Sequence, residues 1–142
     1  MSRYWLFGLA VAMFCVAGDA AAQTKPPVRT TRGGVFSVEQ ASRGADVYAG
    51  YCKSCHTAET HTGANFTAHW KGKQLSELYT YIRDRMPKND PGSLSAEEYA
   101  DVLAYVLKMN RLPAGKSELQ PDSAQLSSIR IETTVVPTRK DP

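Results

Sequence analysis

Residues 52–56 read CKSCH: Cys52-Lys53-Ser54-Cys55-His56. Two thiols stand three positions apart and an imidazole follows at once. Three chemistries use such a cluster. A structural zinc site needs four tetrahedral ligands. This stretch supplies only part of that set, two of its donors are adjacent, and no second C-x-x-C completes it, so His61 or His69 would have to be recruited. A thioredoxin-like dithiol needs C-x-x-C at the start of a helix, after a strand of an α/β sheet. Here a helical pattern precedes the motif and no set of strands is visible. The third chemistry uses every residue. C-x-x-C-H is the attachment signature of c-type haem. The two thiols become thioethers on one edge of the porphyrin, and His56 brings its imidazole under the iron as proximal ligand. This reading assigns Cys52 and Cys55 to one covalent haem c and His56 to its iron.

The chain around the motif has 142 residues, room for one small domain. A hydrophobic share of 42% and a charged share of 22% are ordinary for a globular protein. The net charge of +3 is small and scattered, and no segment interleaves aromatic with basic residues, so no nucleic-acid partner is expected.

The start of the chain reads as a targeting segment. Met1-Ser2-Arg3 is short and positive, Tyr4 to Gly18 is uncharged and apolar, and Ala20-Ala21-Ala22 offers the small residues a signal peptidase reads. We expect residues 1–22 to be a cleavable signal that sends the protein to the periplasm. The apolar run is shorter than the about 20 residues of a membrane span and ends at Asp19, so no span is expected after cleavage. Bulky Phe14 argues against a lipid anchor on Cys15. Cleavage removes Cys15 and leaves Cys52 and Cys55 as the only thiols. An oxidising compartment and thiols committed to attachment agree with each other.

Residues 23–36 carry prolines, glycines and few apolar side chains, and are expected to be an extended, mobile lead-in. Ser37 with Gln40 has capping-box spacing, and Val38, Ala41, Ala45 and Tyr48 recur at helical intervals up to about Tyr51. Residues 57–72 look like a loop anchored by Phe66 and Trp70. A second helix is expected from Leu75 or Ser76 to Met86, where Pro87 stops it. Ser95 with Glu98 opens the third and most regular helix, with Tyr99, Val102, Leu103, Val106 and Leu107 on one face. Asp122 with Gln125 is placed to cap a short helix carrying Leu126 and Ile129, and the end is expected to fray from Thr133. The organisation is a domain over 37–112 and a C-terminal tail over 113–142 that packs partly back on it.

An electron carrier keeps a second axial ligand so that coordination barely changes between oxidation states. After cleavage two methionines remain. Met109 lies within the last helix, where core packing accounts for it. Met86 precedes a proline at a helix end, where an extended backbone aims a side chain out of a loop. Met86 is therefore the favoured distal ligand, and a thioether there raises the potential. His61, five residues after His56, reaches the opposite face with difficulty. His69 lies on a polar loop and stays open as an alternative. No Ser/His/Asp arrangement supports hydrolytic chemistry.

With these residues in view, the chain resembles the small monohaem class I c-type cytochromes over about Ser37 to Asn110. Gly44 and Tyr48 in RGADVYAGYCKSCH match the family's glycine and aromatic on the first helix. Val102 and Tyr105 in DVLAYVLK match the last helix that crosses it, and Met86-Pro87 matches the distal step. Trp70 resembles the aromatic near a haem propionate. The resemblance implies an all-α, cytochrome c-like fold: about three main helices around one covalently bound haem, with an extended C-terminal tail. The chain departs from the mitochondrial pattern, having Thr62-Gly63-Ala64-Asn65 where that pattern has Gly-Pro. Its short separation of His56 from Met86 is similar to compact modules found with oxidases and quinoprotein dehydrogenases.

The expected function is a periplasmic one-electron carrier, not an enzyme, with redox proteins as partners: a dehydrogenase, a terminal oxidase or another cytochrome. An electron-accepting subunit of a dehydrogenase complex and a haem sensor with an open sixth site are the alternatives. Phe66, Leu75, Leu78, Tyr79, Ile82, Leu94, Leu103 and Val106 are expected to line pocket and core. Lys53, Lys71, Lys73, Arg83, Arg85 and Lys88 are candidates for a basic docking rim.

Overall fold

Apolar residues at helical spacing, most runs opened by a capping side chain, build residues 28–133, the part of the chain that the computed structural model describes. Helix α1 (Val38–Tyr51) starts where the Gln40 amide donates to Ser37 Oγ at 3.0 Å. Helix α2 (Gly63–Trp70) follows a 3-10 turn over Ala58–His61. Helix α3 (Leu75–Arg85) opens with the Gln74 amide donating to Glu77 Oε1 at 3.0 Å. Helix α4 (Ala96–Met109) has the full reciprocal box. The Ser95 amide donates to Glu98 Oε2 at 2.8 Å, and the Glu98 amide to Ser95 Oγ at 3.2 Å. Short α5 (Ser123–Ser127) is capped by Asp122 Oδ1, which accepts from the Ala124 and Gln125 amides. The architecture is mostly helical, as an all-α cytochrome c-like fold requires.

The largest contact is between α1 and α4. Gly44 is buried there, and a β-carbon on it would overlap the Asp101 carbonyl. One turn on, the Tyr48 ring packs on Tyr105 with centroids 5.3 Å apart. Arg43 braces the same crossing. Its Nε and Nη2 donate to the two Asp101 carboxylate oxygens at 2.9 and 3.0 Å, and its Nη1 and Nη2 donate to Glu118 at 3.0 and 2.9 Å. The apolar stripe of α1 does not begin at Val38, which is 54% exposed, while Gln40 is buried. Gln40 Nε2 donates to the Leu119 carbonyl at 2.9 Å and its Oε1 accepts from the Leu119 amide at 2.8 Å. That engagement takes the side chain expected to close a box on Ser37.

Phe66, Leu75, Leu78, Tyr79, Leu103 and Val106 are in the core, with Ile82 and Leu94 packed partly buried against it. The core also takes residues from outside the main helices. Val35 and Phe36 enter from the N-terminal side, and Leu112, Leu119, Leu126, Ile129 and Ile131 from the C-terminal side. Residues 28–36 are thus packed, not the mobile lead-in their composition suggests. Strand β1 (Arg29–Thr30) pairs in parallel with β2 (Ile129–Arg130), where no strands were expected. The Thr31 hydroxyl donates to the Glu132 carbonyl and accepts from its amide, both at 2.9 Å. The Gly115 amide donates to the Phe36 carbonyl at 2.7 Å, so close to Gly34 that a β-carbon on Gly115 would overlap the Gly34 carbonyl. The expected loop over 57–72 is also corrected, since α2 occupies half of it. The expected signal over residues 1–22, and the frayed end beyond Thr133, lie outside the described residues. Among the described residues no helix is long and apolar enough to cross a membrane.

Two outcomes follow from this packing. Gly44→Ala forces α1 from α4 and is expected to cost about 3 kcal/mol, the upper range for overpacking. Denaturant unfolding of the holoprotein measures it, and a loss near zero would mean that the crossing adjusts freely. The second concerns acid. The Arg43 hydrogen bond holds the Glu118 carboxyl below its ordinary pKa of 4.5. A depressed carboxylate stabilises fully above the unfolded value and loses that contribution as pH falls through the folded value. Arg43→Gln should therefore flatten the fall in stability below about pH 4.5, read from melting temperatures across pH.

Candidate functional site

Cys52 ends α1, its amide donating to the Tyr48 carbonyl at 2.9 Å. The chain then turns at once. The Cys55 and His56 amides both donate to the Cys52 carbonyl, at 3.1 and 3.0 Å. This single turn gathers three of the four expected site residues. Cys52 is half-buried, Cys55 exposed and His56 half-buried. Both thiols are free. Burial, and then Cys55, push the Cys52 thiol above its ordinary pKa. A redox dithiol of the thioredoxin kind sits after a strand and opens a helix, whereas here α1 leads into the motif and a turn follows it, so the redox-disulfide reading loses its support. Among the described residues no group of three or more His, Cys, Asp or Glu is arranged to hold a metal ion. The zinc reading loses its support as well.

The segment after His56 is pinned to the far end of α4. Asn110 caps α4; its Oδ1 accepts from the Gly63 amide at 3.1 Å and its Nδ2 donates to the His61 carbonyl at 2.8 Å. The same Nδ2 lies 2.9 Å from the Val106 carbonyl. The His61 ring thereby lies beside His56, with centroids 4.6 Å apart, and edge-on to Tyr48 at 6.0 Å. Burial, and then His56, lower the His61 pKa below its ordinary value. His69 is exposed, with Nδ1 2.8 Å from the Asn65 carbonyl. His61 thus lies beside His56, and His69 turns a ring nitrogen to the backbone of its own helix.

Met86 comes from a different element. It is the residue after α3, half-buried, with extended backbone at φ −131° and ψ 148°. Its carbonyl accepts from the Tyr99 hydroxyl at 2.8 Å. Asn110 and Tyr99 were not singled out as site residues by sequence reasoning. Tyr99 reads as one more apolar position on α4, and Asn110 as a helix end. Only the tertiary structure shows where their polar atoms go. Trp70 is half-buried, edge-on to Tyr81 at 5.4 Å, with Lys73 Nζ 5.0 Å over its ring.

Residues 39–106 match the family model described as cytochrome c oxidase, cbb3-type, subunit III. This segment is a c-type cytochrome domain. The match contains the CKSCH turn, Met86 and most of the α1–α4 crossing. A c-type cytochrome domain carries haem c covalently, with one iron, and transfers electrons through it. No curated protein and no solved structure matches the chain. The donor set of the cytochrome domain fits such a group: two free thiols, an imidazole next to them and a thioether on a separate element.

Asn110→Ala removes two side-chain hydrogen bonds to the segment after His56 and one to the Val106 carbonyl of α4. The cytochrome domain is expected to lose about 1–3 kcal/mol, and the Gly63 amide to exchange faster with solvent. Unchanged Gly63 protection in a hydrogen-exchange experiment would show that Asn110 does not hold this segment.

Proposed function

We propose that the chain is a periplasmic one-electron carrier. In it Cys52 and Cys55 would hold the haem, and His56 and Met86 would be the ligands of its iron. The observation that carries this reading is the bracing of both ligand segments by one helix. α4 holds Met86 through Tyr99 at its first turn and the segment after His56 through Asn110 at its end. When bound, haem c supplies one iron that takes up and releases a single electron. Cys52 and Cys55 would hold that group through two thioether bonds. The tight turn, with the Cys52 carbonyl accepting from two amides, keeps the thiols and the imidazole in one short stretch. A thioether from Met86 would favour the reduced state over a second imidazole. Lys53, Lys71, Lys73, Arg85 and Lys88 are exposed and serve to steer redox partners. Arg83 pairs with Asp84 at 2.8 Å and contributes less to that rim.

A second reading has one observation in its favour. The matching family model is described as an oxidase subunit, so the chain serves instead as a fixed electron-transferring subunit of a larger complex. Gentle purification from the native envelope separates the two. A carrier elutes alone with its haem absorbance, and a subunit elutes with an integral partner.

The ligand assignments have a direct test. Replacing both Cys52 and Cys55 by Ser should leave no haem on the polypeptide in a denaturing gel. Met86→Ala should abolish the weak far-red charge-transfer band of methionine-bound ferric haem and lower the midpoint potential. A band that survives in Met86→Ala excludes Met86 as the distal ligand and leaves Met109, His61 or His69.

A further inference from the structure

The loop between α3 and α4 is exposed throughout residues 88–93, yet it begins at Met86. A ligand on such a loop leaves its iron whenever the loop opens, so whatever closes the loop governs the bond. One side chain closes it at both ends. Tyr99, 1% exposed in the first turn of α4, donates its hydroxyl proton to the Met86 carbonyl at 2.8 Å. The same oxygen accepts from the Leu94 amide at 3.5 Å. The neighbouring phenol of Tyr79 reaches Ala96, at 3.4 Å, and not the loop base.

We propose that Tyr99 is a positioning residue for Met86, setting how tightly the thioether is held without touching the iron. The proposal rests on the reading of Met86 as distal ligand. In the closed loop the Tyr99 hydroxyl satisfies one carbonyl and one amide in a half-buried place. In the open loop water satisfies both. Removing the hydroxyl therefore weakens the closed state selectively, while the ring of Phe keeps the packing of α4. One such hydrogen bond corresponds to about a five- to tenfold change in the opening equilibrium.

The test uses ferric holoprotein titrated with imidazole, which replaces a distal methionine and removes its far-red band. Tyr99→Phe should be half-replaced at about five- to tenfold lower imidazole than the wild type, with a shifted midpoint potential. Tyr79→Phe, which disturbs the same end of α4, should titrate as the wild type does. Two results overturn the proposal while leaving the ligand assignment in place. One is a Met86-dependent band whose imidazole midpoint is the same in Tyr99→Phe as in the wild type. The other is an equal shift in Tyr79→Phe, which makes the effect general loosening of α4. Absence of the band in the wild type, or its survival in Met86→Ala, removes the ligand assignment itself and this proposal with it.

Discussion

The close approach of α1 and α4 at Gly44 is the constraint on which the rest of this domain depends. Close approach of two helix backbones needs a residue with no side chain at the contact. Gly44 meets the Asp101 backbone directly, and everything near it uses that proximity. Tyr48 reaches Tyr105 because the helices are close there. Arg43 spans to Asp101 and on to Glu118, joining α1, α4 and the C-terminal segment through one guanidinium. α1 delivers the chain into CKSCH, so its position on α4 is also the position of the thiols.

α4 then acts as a frame with work at each end. Its first turn holds the loop that begins at Met86, and its cap holds the segment that leaves His56. Both jobs are done by side-chain hydrogen bonds to main chain, which fix backbone position more sharply than apolar contact does. A protein that transfers electrons benefits from such rigidity, because little then has to rearrange when the charge on the iron changes. The same logic places the polar atoms of Tyr99 and Asn110 on backbone groups of the two segments that leave the helices, at Met86 and at His61 and Gly63.

Much of this was readable from the residues. The three main helices follow from Ser37, Pro87 and the Ser95–Glu98 box, whose signals are local and survive folding unchanged. CKSCH was readable because its chemistry is contained in five adjacent residues. The failures share one cause: distant sequence decided the outcome. Gln40 looks like a local box partner, but Leu119 offers a buried amide and carbonyl that satisfy it twice. Residues 28–36 look mobile because their partners are far along the chain: Glu132 is 101 residues from Thr31, and Gly115 lies more than half the chain from Phe36. α2 escaped notice because its stretch is rich in Thr and Gly, poor helix formers held in place by Phe66 packing in the core and by Asn110.

The parallel pairing of β1 with β2 has a consequence for how the domain keeps its two sides together. The strands run the same way, with Arg29 opposite Ile129 and Thr30 opposite Arg130, and the Thr31 hydroxyl clasps the Glu132 backbone just beyond them. The first and last described segments are thus each other's support, and Ile129 and Ile131 reach the core from within that clasp. Loosening either segment loosens both, so the helical domain and its C-terminal segment behave as one folding unit, not as a body with an appendage.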